Sequence, residues 1–479
     1  MNNFVQKFIK NFLFIFSAQS IVLIFGIVNA VVLPLILSVE NFGYWQLYLL
    51  YSSFVGVFAL GFNDGLYLKY GGYDYNSLPF KKLRSAIRIH LVVLILFSLL
   101  IYFTSFYYIS DDNKIYVIRM ICLNIIILGI NGVYIYILQI TNKIKQYSLF
   151  TILPKVILLL GVIFYLLLNI GNFKLLIIFD VISKTVAVLF MVYACKELWI
   201  GKNNRITESI KEYFVNVSVG IWLMLAQLMG MLVLGIGRFL VEWFGDINDF
   251  AYYSYGITIT NLIIVLINSL SLIAYPTLKR LDKNDYPKYY QKINSWLEGL
   301  NVLIIFFYFC AVFFIQEILP EYKSVLVYLN ILFVIIILQS KMQILNNTYY
   351  KVLRKEKSMM KANLSSIIIF IIIGTITMQF TTSVLSISLC TLVIMLWRCF
   401  VSEIYIMKVM KIKINFKKII LEIIFLLLFL LITGFFPLEW SFIMYIIFLI
   451  IYLYINRQTL SKLISRINSY VIAINKERN

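Results

Sequence analysis

The chain has 479 residues, 62% of them hydrophobic and only 13% charged, against roughly half and a quarter in a soluble protein. A sizeable soluble domain is excluded, because a crossing takes about 20 apolar residues and some twelve to fourteen crossings use up the length. The formal net charge of +20 gains meaning only once the apolar runs are placed.

The first run, 9–37, follows a basic start, "MNNFVQKFIKNF". It is longer than the roughly 7–15 residues of a signal-peptide core and reads as a retained first helix. Five more runs follow at 43–62, 87–109, 115–139, 149–169 and 173–195. The polar amphipathic stretch "KELWIGKNNRITESIKEYF" separates them from six at 216–240, 250–276, 296–316, 322–345, 363–380 and 383–407, and a last pair lies at 419–436 and 438–456. The expected fold is an all-α integral membrane protein of about fourteen transmembrane helices. Its parts are an N-lobe at 1–195, a linker at 196–215, a C-lobe at 216–408, a helix pair at 409–456 and a basic amphipathic tail at 457–479.

Basic residues are retained in cytoplasmic loops. With the N-terminus inside, the only lysines or arginines in outside loops are Lys114, Lys174 and Lys323. Arg119, Lys155, Lys184, Arg238, Lys341 and Arg398 lie within helix limits, and the rest of the 42 fall inside. The positive charge is thus a topology signal and a match to anionic inner-leaflet lipid, not a nucleic-acid footprint. Cys122, Cys195, Cys310, Cys390 and Cys399 all sit in apolar runs without C-x-x-C spacing, which argues against metal and disulfide.

Shifting the chain by 208 residues lays "ENFGYW" (40–45) on "NDFAYY" (248–253). The same shift pairs Gln19 with Gln227, Tyr67 with Tyr275, Asn76 with Asn284, Pro79 with Pro287 and Lys143 with Lys351. Six crossings separate the copies, so the repeats are parallel, as in transporters that rock around a central cavity. The final helix pair lies outside the repeat.

The stretch "GFNDGLYLKYGG" (61–72) closes the second run. In one reading it is a helix end where Gly65, Gly71 and Gly72 permit a tight exit and Lys69 snorkels to lipid phosphate. In the other, Asn63, Asp64 and Lys69 join "SLSLIAYPTLKRL" (269–281) in a cytoplasmic gate, and the linker then tolerates change better than these two mouths do.

Charges deep in a helix cost about 2.5–3.5 kcal/mol on insertion scales and face protein or a water-filled cavity. Arg119, Lys155, Arg238 and Lys341 are near enough to helix ends to snorkel, and Arg238 has Glu242 one turn on. Asp180 and Lys184 are spaced to neutralise each other. Arg398 has no acid at i+3 or i+4 and needs a partner elsewhere or an anion. Arg398, Lys184, Arg238, Arg119 and Lys341 are the candidate cavity cations; Asp64, Asn63, Lys69, Asp180 and Glu242 are the gate or coupling candidates.

The ending "LPLILSVENFGYW" of the first helix, "GFNDGLYLKYGG" at the second and the 6 + 6 + 2 pattern resemble the Wzx-type polysaccharide and O-antigen flippases of the multidrug/oligosaccharidyl-lipid/polysaccharide (MOP) exporter superfamily. The resemblance is strongest over 9–90 and architectural elsewhere. It implies a monomeric flippase of the bacterial cytoplasmic (inner) membrane that moves an undecaprenyl-diphosphate-linked oligosaccharide, for O-antigen, lipopolysaccharide or capsule, by alternating access. It implies no enzymatic activity, cofactor, metal or nucleic acid. Its partners would be membrane lipid, a polysaccharide polymerase and a chain-length regulator. Two rivals remain. A membrane glycosyltransferase or polymerase would need an outward catalytic platform, and the outside loops are short. A multidrug exporter of the same superfamily would favour acidic cavity residues, whereas the interior charges are mainly basic. No G-x-x-x-x-G-K-[ST] loop is present for ATP hydrolysis.

Overall fold

A computed structural model describes residues 20–168, 171–279, 282–381, 383–413 and 416–455. Within a bilayer, backbone N–H and C=O groups must be satisfied inside each segment, and the described residues accordingly form helices with no strand. In chain order these are α1 (Ser20–Ile36), α2 (Val39–Phe54), α3 (Phe62–Tyr70), α4 (Phe80–Tyr108), α5 (Asp112–Ile140), α6 (Ile144–Leu167) and α7 (Phe173–Ala194). The second half contains α8 (Ile206–Phe244), α9 (Ile247–Lys279), α10 (Tyr286–Ile318), α11 (Pro320–Val352), α12 (Glu356–Phe380) and α13 (Val384–Val409). Then come α14 (Phe416–Phe435) and α15 (Leu438–Ile455).

Among the described residues, ten helices are long and apolar enough to cross a membrane, or eleven with α2 and α3 as one bent span; α1, α14 and α15 contribute shorter apolar helices. The full count of fourteen is not reached by that measure among the described residues. Residues 9–19 of the first expected helix and the tail at 457–479 lie outside the described set.

The repeat has a spatial counterpart. Val39 and Ile247 open α2 and α9, and Ile36 and Phe244 close α1 and α8, each pair separated by the same 208 residues. Repeat mates also meet: a Cβ on Gly43 would lie 3.2 Å from the Cβ of Ala251 and 2.7 Å from the Ile247 carbonyl oxygen. Parallel repeats related by an axis along the membrane normal bring equivalent residues together at that axis. The two six-helix halves join along α2 and α3 on one side and α8 and α9 on the other.

The second expected helix does not end at residue 62. It passes through a 3₁₀ turn at Val55–Ala59, turns at Leu60 (φ 50°) and Gly61 (φ 78°), and resumes as α3 at an angle of 58°. Both φ values are left-handed, a region glycine enters freely and leucine at a cost. Asn63 and Asp64 are consequently buried at the start of a helix instead of standing at its exit. Gly65 likewise serves packing, because a Cβ there would overlap the Asn216 carbonyl oxygen of α8. Gly71 has an ordinary φ of −58°. Most side chains of the matching stretch 269–281 lie outside the described set.

The segment between the halves is docked, not loose. The Arg84 guanidinium donates to the carbonyls of Lys202 (2.5 Å) and Glu197 (2.7 Å), and the Asn204 N–H donates to Ser85 Oγ (2.8 Å). Tyr75 donates to Glu197 at 3.0 Å, and the Glu197 carboxyl is held below its ordinary range, first by its own backbone N–H and then by Tyr75.

Candidate functional site

The seam between the halves carries three polar rungs along α8. At one end, Glu212 accepts from Lys69 Nζ (2.5 Å) and from the Tyr70 hydroxyl (2.9 Å) of α3, and Asn216 Nδ2 donates to the Glu212 carbonyl (2.7 Å). About four turns further, Asp64 Oδ1 accepts from Tyr136 of α5 and from Gln227 of α8, both at 3.2 Å. Toward the Phe244 end, Arg238 donates through Nε to Ser254 Oγ of α9 (3.2 Å) and through Nη2 to Gln46 Oε1 of α2 (3.2 Å). Thr258 also donates to that Gln46 oxygen, at 3.4 Å. Glu212 and Arg238 are 26 residues apart, about 39 Å of helix, so the rungs span a hydrocarbon core of about 30 Å.

The α3–α8 approach is made by small residues. A Cβ at Gly220 would overlap the Gly61 carbonyl oxygen and the Gly65 amide nitrogen, and one at Gly61 would lie 2.6 Å from the Ile221 amide nitrogen. Small residues let helix backbones meet in a membrane where apolar burial gives no drive. The Glu212 and Asp64 rungs and this contact hold the seam shut at the Tyr70 end.

Two seam residues are charged without a charged partner among the described residues: Asp64, whose partners are a phenol and an amide, and Arg238, whose partners are an amide and a hydroxyl. Arg238 does not pair with Glu242 as its spacing suggested; Glu242 Oε1 takes Lys114 Nζ at 2.9 Å. Asn63 donates weakly to the Gly129 carbonyl (3.5 Å), and its Oδ1 is buried without a partner.

The other candidates are dispersed. Asp180 and Lys184 do pair within α7, and Asp180 also accepts from the Tyr48 hydroxyl (2.5 Å), which accepts from Asn124 (2.8 Å), all inside the first half. Lys155 stacks its ammonium on Phe25, 4.4 Å from the ring centre. Arg119 lies 4.8 Å from the centre of Phe106. Lys341 is buried between Glu403 (2.8 Å) and Glu422 (2.6 Å). Arg398, only 2% exposed, donates to Asn363 Oδ1 (2.9 Å) and Gln339 Oε1 (3.3 Å) inside the second half. His90 is fully buried and stacked on Phe62.

Sequence reasoning overlooked Gln46, Tyr136, Glu212, Ser254 and Thr258, and noticed Gln227 only as a repeat identity. An amide within an apolar run, as in "YWQLYLL", was the available signal for Gln46. Glu212 was hidden in a stretch assigned to the linker.

Residues 8–282 match a family described as "Polysaccharide biosynthesis protein". No curated protein sequence matches the chain. Among solved structures, the chain resembles a lipid II flippase MurJ in an inward closed conformation, at 15% identity, with 94% of this chain and 100% of that chain covered and a TM-score of 0.63. It also resembles an inward-facing multidrug resistance MATE family transporter of the MOP superfamily, at 14% identity, covering 81% and 99% of the two chains, with a TM-score of 0.52. A third likeness is to an outward-facing multidrug resistance MATE family transporter of the MOP superfamily, at 14% identity, covering 85% and 95%, with a TM-score of 0.50. At these identities the likeness is one of fold.

Proposed function

The chain belongs to the polysaccharide biosynthesis protein family, and from that premise we propose that it is a flippase carrying an undecaprenyl-diphosphate-linked oligosaccharide across the bacterial cytoplasmic membrane. The observation carrying this reading is Arg238, a cation at the seam whose partners come from α2 and α9 and are all neutral. A neutral amide and hydroxyl hold a guanidinium in place without discharging it. Its planar fork remains suited to phosphate or an acidic sugar when the halves part.

The transport cycle follows from the seam. Parting at the Tyr70 end breaks Lys69–Glu212 and separates Gly61 and Gly65 from Gly220, exposing Asp64 and its partners to the entering headgroup. Lys69 and Asp64 thereby act in the gate, with Tyr136 and Gln227 holding Asp64 while the gate is shut. Closing that end and parting at the Phe244 end releases Gln46 and Ser254 from Arg238 and opens the other face. In this reading the Tyr70 end and both termini are cytoplasmic. Asp180–Lys184 and Arg398 pack within single halves and keep them rigid as they rock.

The test is reconstitution in liposomes with an undecaprenyl-diphosphate-linked oligosaccharide bearing a label accessible to an external sugar-modifying enzyme. Wild type should equilibrate the label between leaflets. Arg238→Gln should slow equilibration about tenfold or more at unchanged membrane abundance, the loss of a charge-assisted contact worth about 1.5–3 kcal/mol, and Arg238→Lys should fall between. Movement of a lipophilic drug cation instead of the lipid-linked sugar would overturn the reading in favour of the exporter.

A further inference from the structure

The repeat mates Tyr44 and Tyr252 have different surroundings. In the first half, Tyr44 of α2 stacks on Phe173, the first residue of α7, with ring centres 5.0 Å apart, and Tyr116 of α5 meets the same ring edge-on at 6.1 Å. Tyr44 also donates its hydroxyl to Asp111 at 2.7 Å. The shift of 208 residues puts Ser324 at the place of Tyr116 and Leu319 at that of Asp111, while Val384 opens α13 as Phe173 opens α7. Two rings and a carboxylate are therefore missing around Tyr252.

In their place is a wide-mouthed cavity of about 480 Å³, within the range of about 300–1,000 Å³ typical of small-molecule sites. Helix α9 lines it with Asp249 and Tyr252, α11 with Ser324 and Tyr328, and the turn before α13 with Thr381 and Ser383; Thr382 lies outside the described residues. All of these stand near helix starts, at the Phe244 end of the molecule.

The lining suits a hydroxyl-rich ring. Asp249 caps nothing with its carboxylate: its N–H donates to Asp246 at 2.7 Å. Neither Asp249 nor the exposed Lys323, next to Ser324, forms an ion pair among the described residues. Tyr328, only 4% exposed, forms the floor, and its hydroxyl has no hydrogen-bond partner among the described residues. A carboxylate only accepts, a phenol and serines both donate and accept, and tyrosine rings give flat apolar surface. A hexose is the complement, with hydroxyls around its rim and C–H bonds on its faces. Phosphate and uronate are disfavoured, because the charge among the described lining residues is that of Asp249.

We propose that this cavity binds a neutral hexose, with Asp249 accepting from its hydroxyls, Tyr328 pairing with another and Tyr252 covering one face. Resting on the flippase reading, the hexose belongs to the transported oligosaccharide once it has emerged. Asp249 and Ser254, the α9 partner of Arg238, are five residues apart, about 8 Å along the helix and about 140° around it. The cavity thus stands beside the seam, and a glycan whose diphosphate is at Arg238 reaches it round the end of α9 with one of its later sugars. A sugar held there opposes return of the lipid.

The test is photocrosslinking in the transport liposomes, with p-benzoylphenylalanine in place of Val327 at the cavity rim. The probe is undecaprenyl-diphosphate-linked oligosaccharide extracted from the producing cells and labelled in its sugar. The protein should capture the label, and excess oligosaccharide released from the lipid should suppress capture while undecaprenyl diphosphate should not. Asp249→Asn should lower capture about tenfold, the effect of losing a charge-assisted hydrogen bond, and Tyr328→Phe should lower it at an unchanged melting temperature. Ser324→Tyr with Val384→Phe, which restores the rings of the first half, should abolish capture and melt no lower than wild type. Transport without capture would overturn the site and keep the flippase reading, whereas capture without transport would overturn that reading and keep the site. Capture unchanged in both Asp249→Asn and the double variant, or suppressed equally by undecaprenyl diphosphate, would also overturn the proposal.

Discussion

The two halves start from one backbone plan and diverge at matching positions. In the first half, Tyr48 accepts from Asn124; 208 residues on, Gly256 meets Leu332, where a Cβ would come within 2.5 Å of Leu332 Cδ1. The first half breaks its α2–α3 span at Leu60 and Gly61, whereas α9 runs unbroken from Ile247 to Lys279. The repeat therefore preserves where helices begin and which helices touch, but not what the contacts are made of. A hydrogen-bonded ion cluster and an apolar contact are alternative fillings of similar space, and burying charge in one half gives no stability advantage by itself.

The largest effect should come from spoiling the ion cluster of the first half by one member. Asp180→Leu leaves Lys184 buried without its carboxylate and should lower unfolding stability by about 3–5 kcal/mol, read as a fall in melting temperature and in folded yield. Asp180→Leu with Lys184→Met makes this site apolar and should recover most of that loss. If the double variant is as unstable as the single one, the two halves are not interchangeable fillings.

Next in size is the glycine seam. Gly65→Leu forces α3 away from α8 and should cost about 3 kcal/mol by overpacking. Gly56→Ala, where a Cβ meets nothing within 4 Å, should melt as wild type. Equal behaviour of the two variants in a detergent melt would show that the α3–α8 approach is not held by small residues.

Gly61→Ala tests the break itself. Its φ of 78° and the nearby Ile221 amide should together cost about 2 kcal/mol, visible as a lower melting temperature. A stabilised Gly61→Ala would mean that the span straightens readily to resemble α9.

The smallest effect belongs to Glu212→Gln. Its pair with Lys69 is part-exposed, 30% on the lysine and 15% on the glutamate, so the loss should be about 1 kcal/mol or less. Because the pair bridges the halves, the variant should still open more readily at the Tyr70 end. Faster cysteine labelling at Tyr67→Cys in the Glu212→Gln background would register that, and an unchanged rate would detach this pair from the gate.

Among the described residues, the apolar runs fall on helical segments, the second of them broken at Leu60 and Gly61, and the 208-residue repeat recurs in the helix boundaries. Such features are legible because hydropathy is a sum over neighbouring residues and a membrane helix closes its own hydrogen bonds. The pairing of Asp180 with Lys184 was readable for the same reason, as four residues on one helix fix their own distance. The candidate site was much less accessible. Nothing near Arg238 in the chain announces Gln46, 192 residues earlier, and the nearby Glu242 turns instead to Lys114. Arg398 had no local acid, and its partners proved to be Asn363 and Gln339 on two other helices. The break at Leu60 and Gly61 escaped notice because the residues on both sides are apolar, and only the Gly220 backbone of α8 gives the bend its purpose. The sequence by itself determined the membrane class, the positions of the helices and their duplication, all consequences of local composition. Only the tertiary structure decided which buried charges are neutralised and which remain open at the seam, because that depends on how helices distant in the chain are rotated and packed against one another.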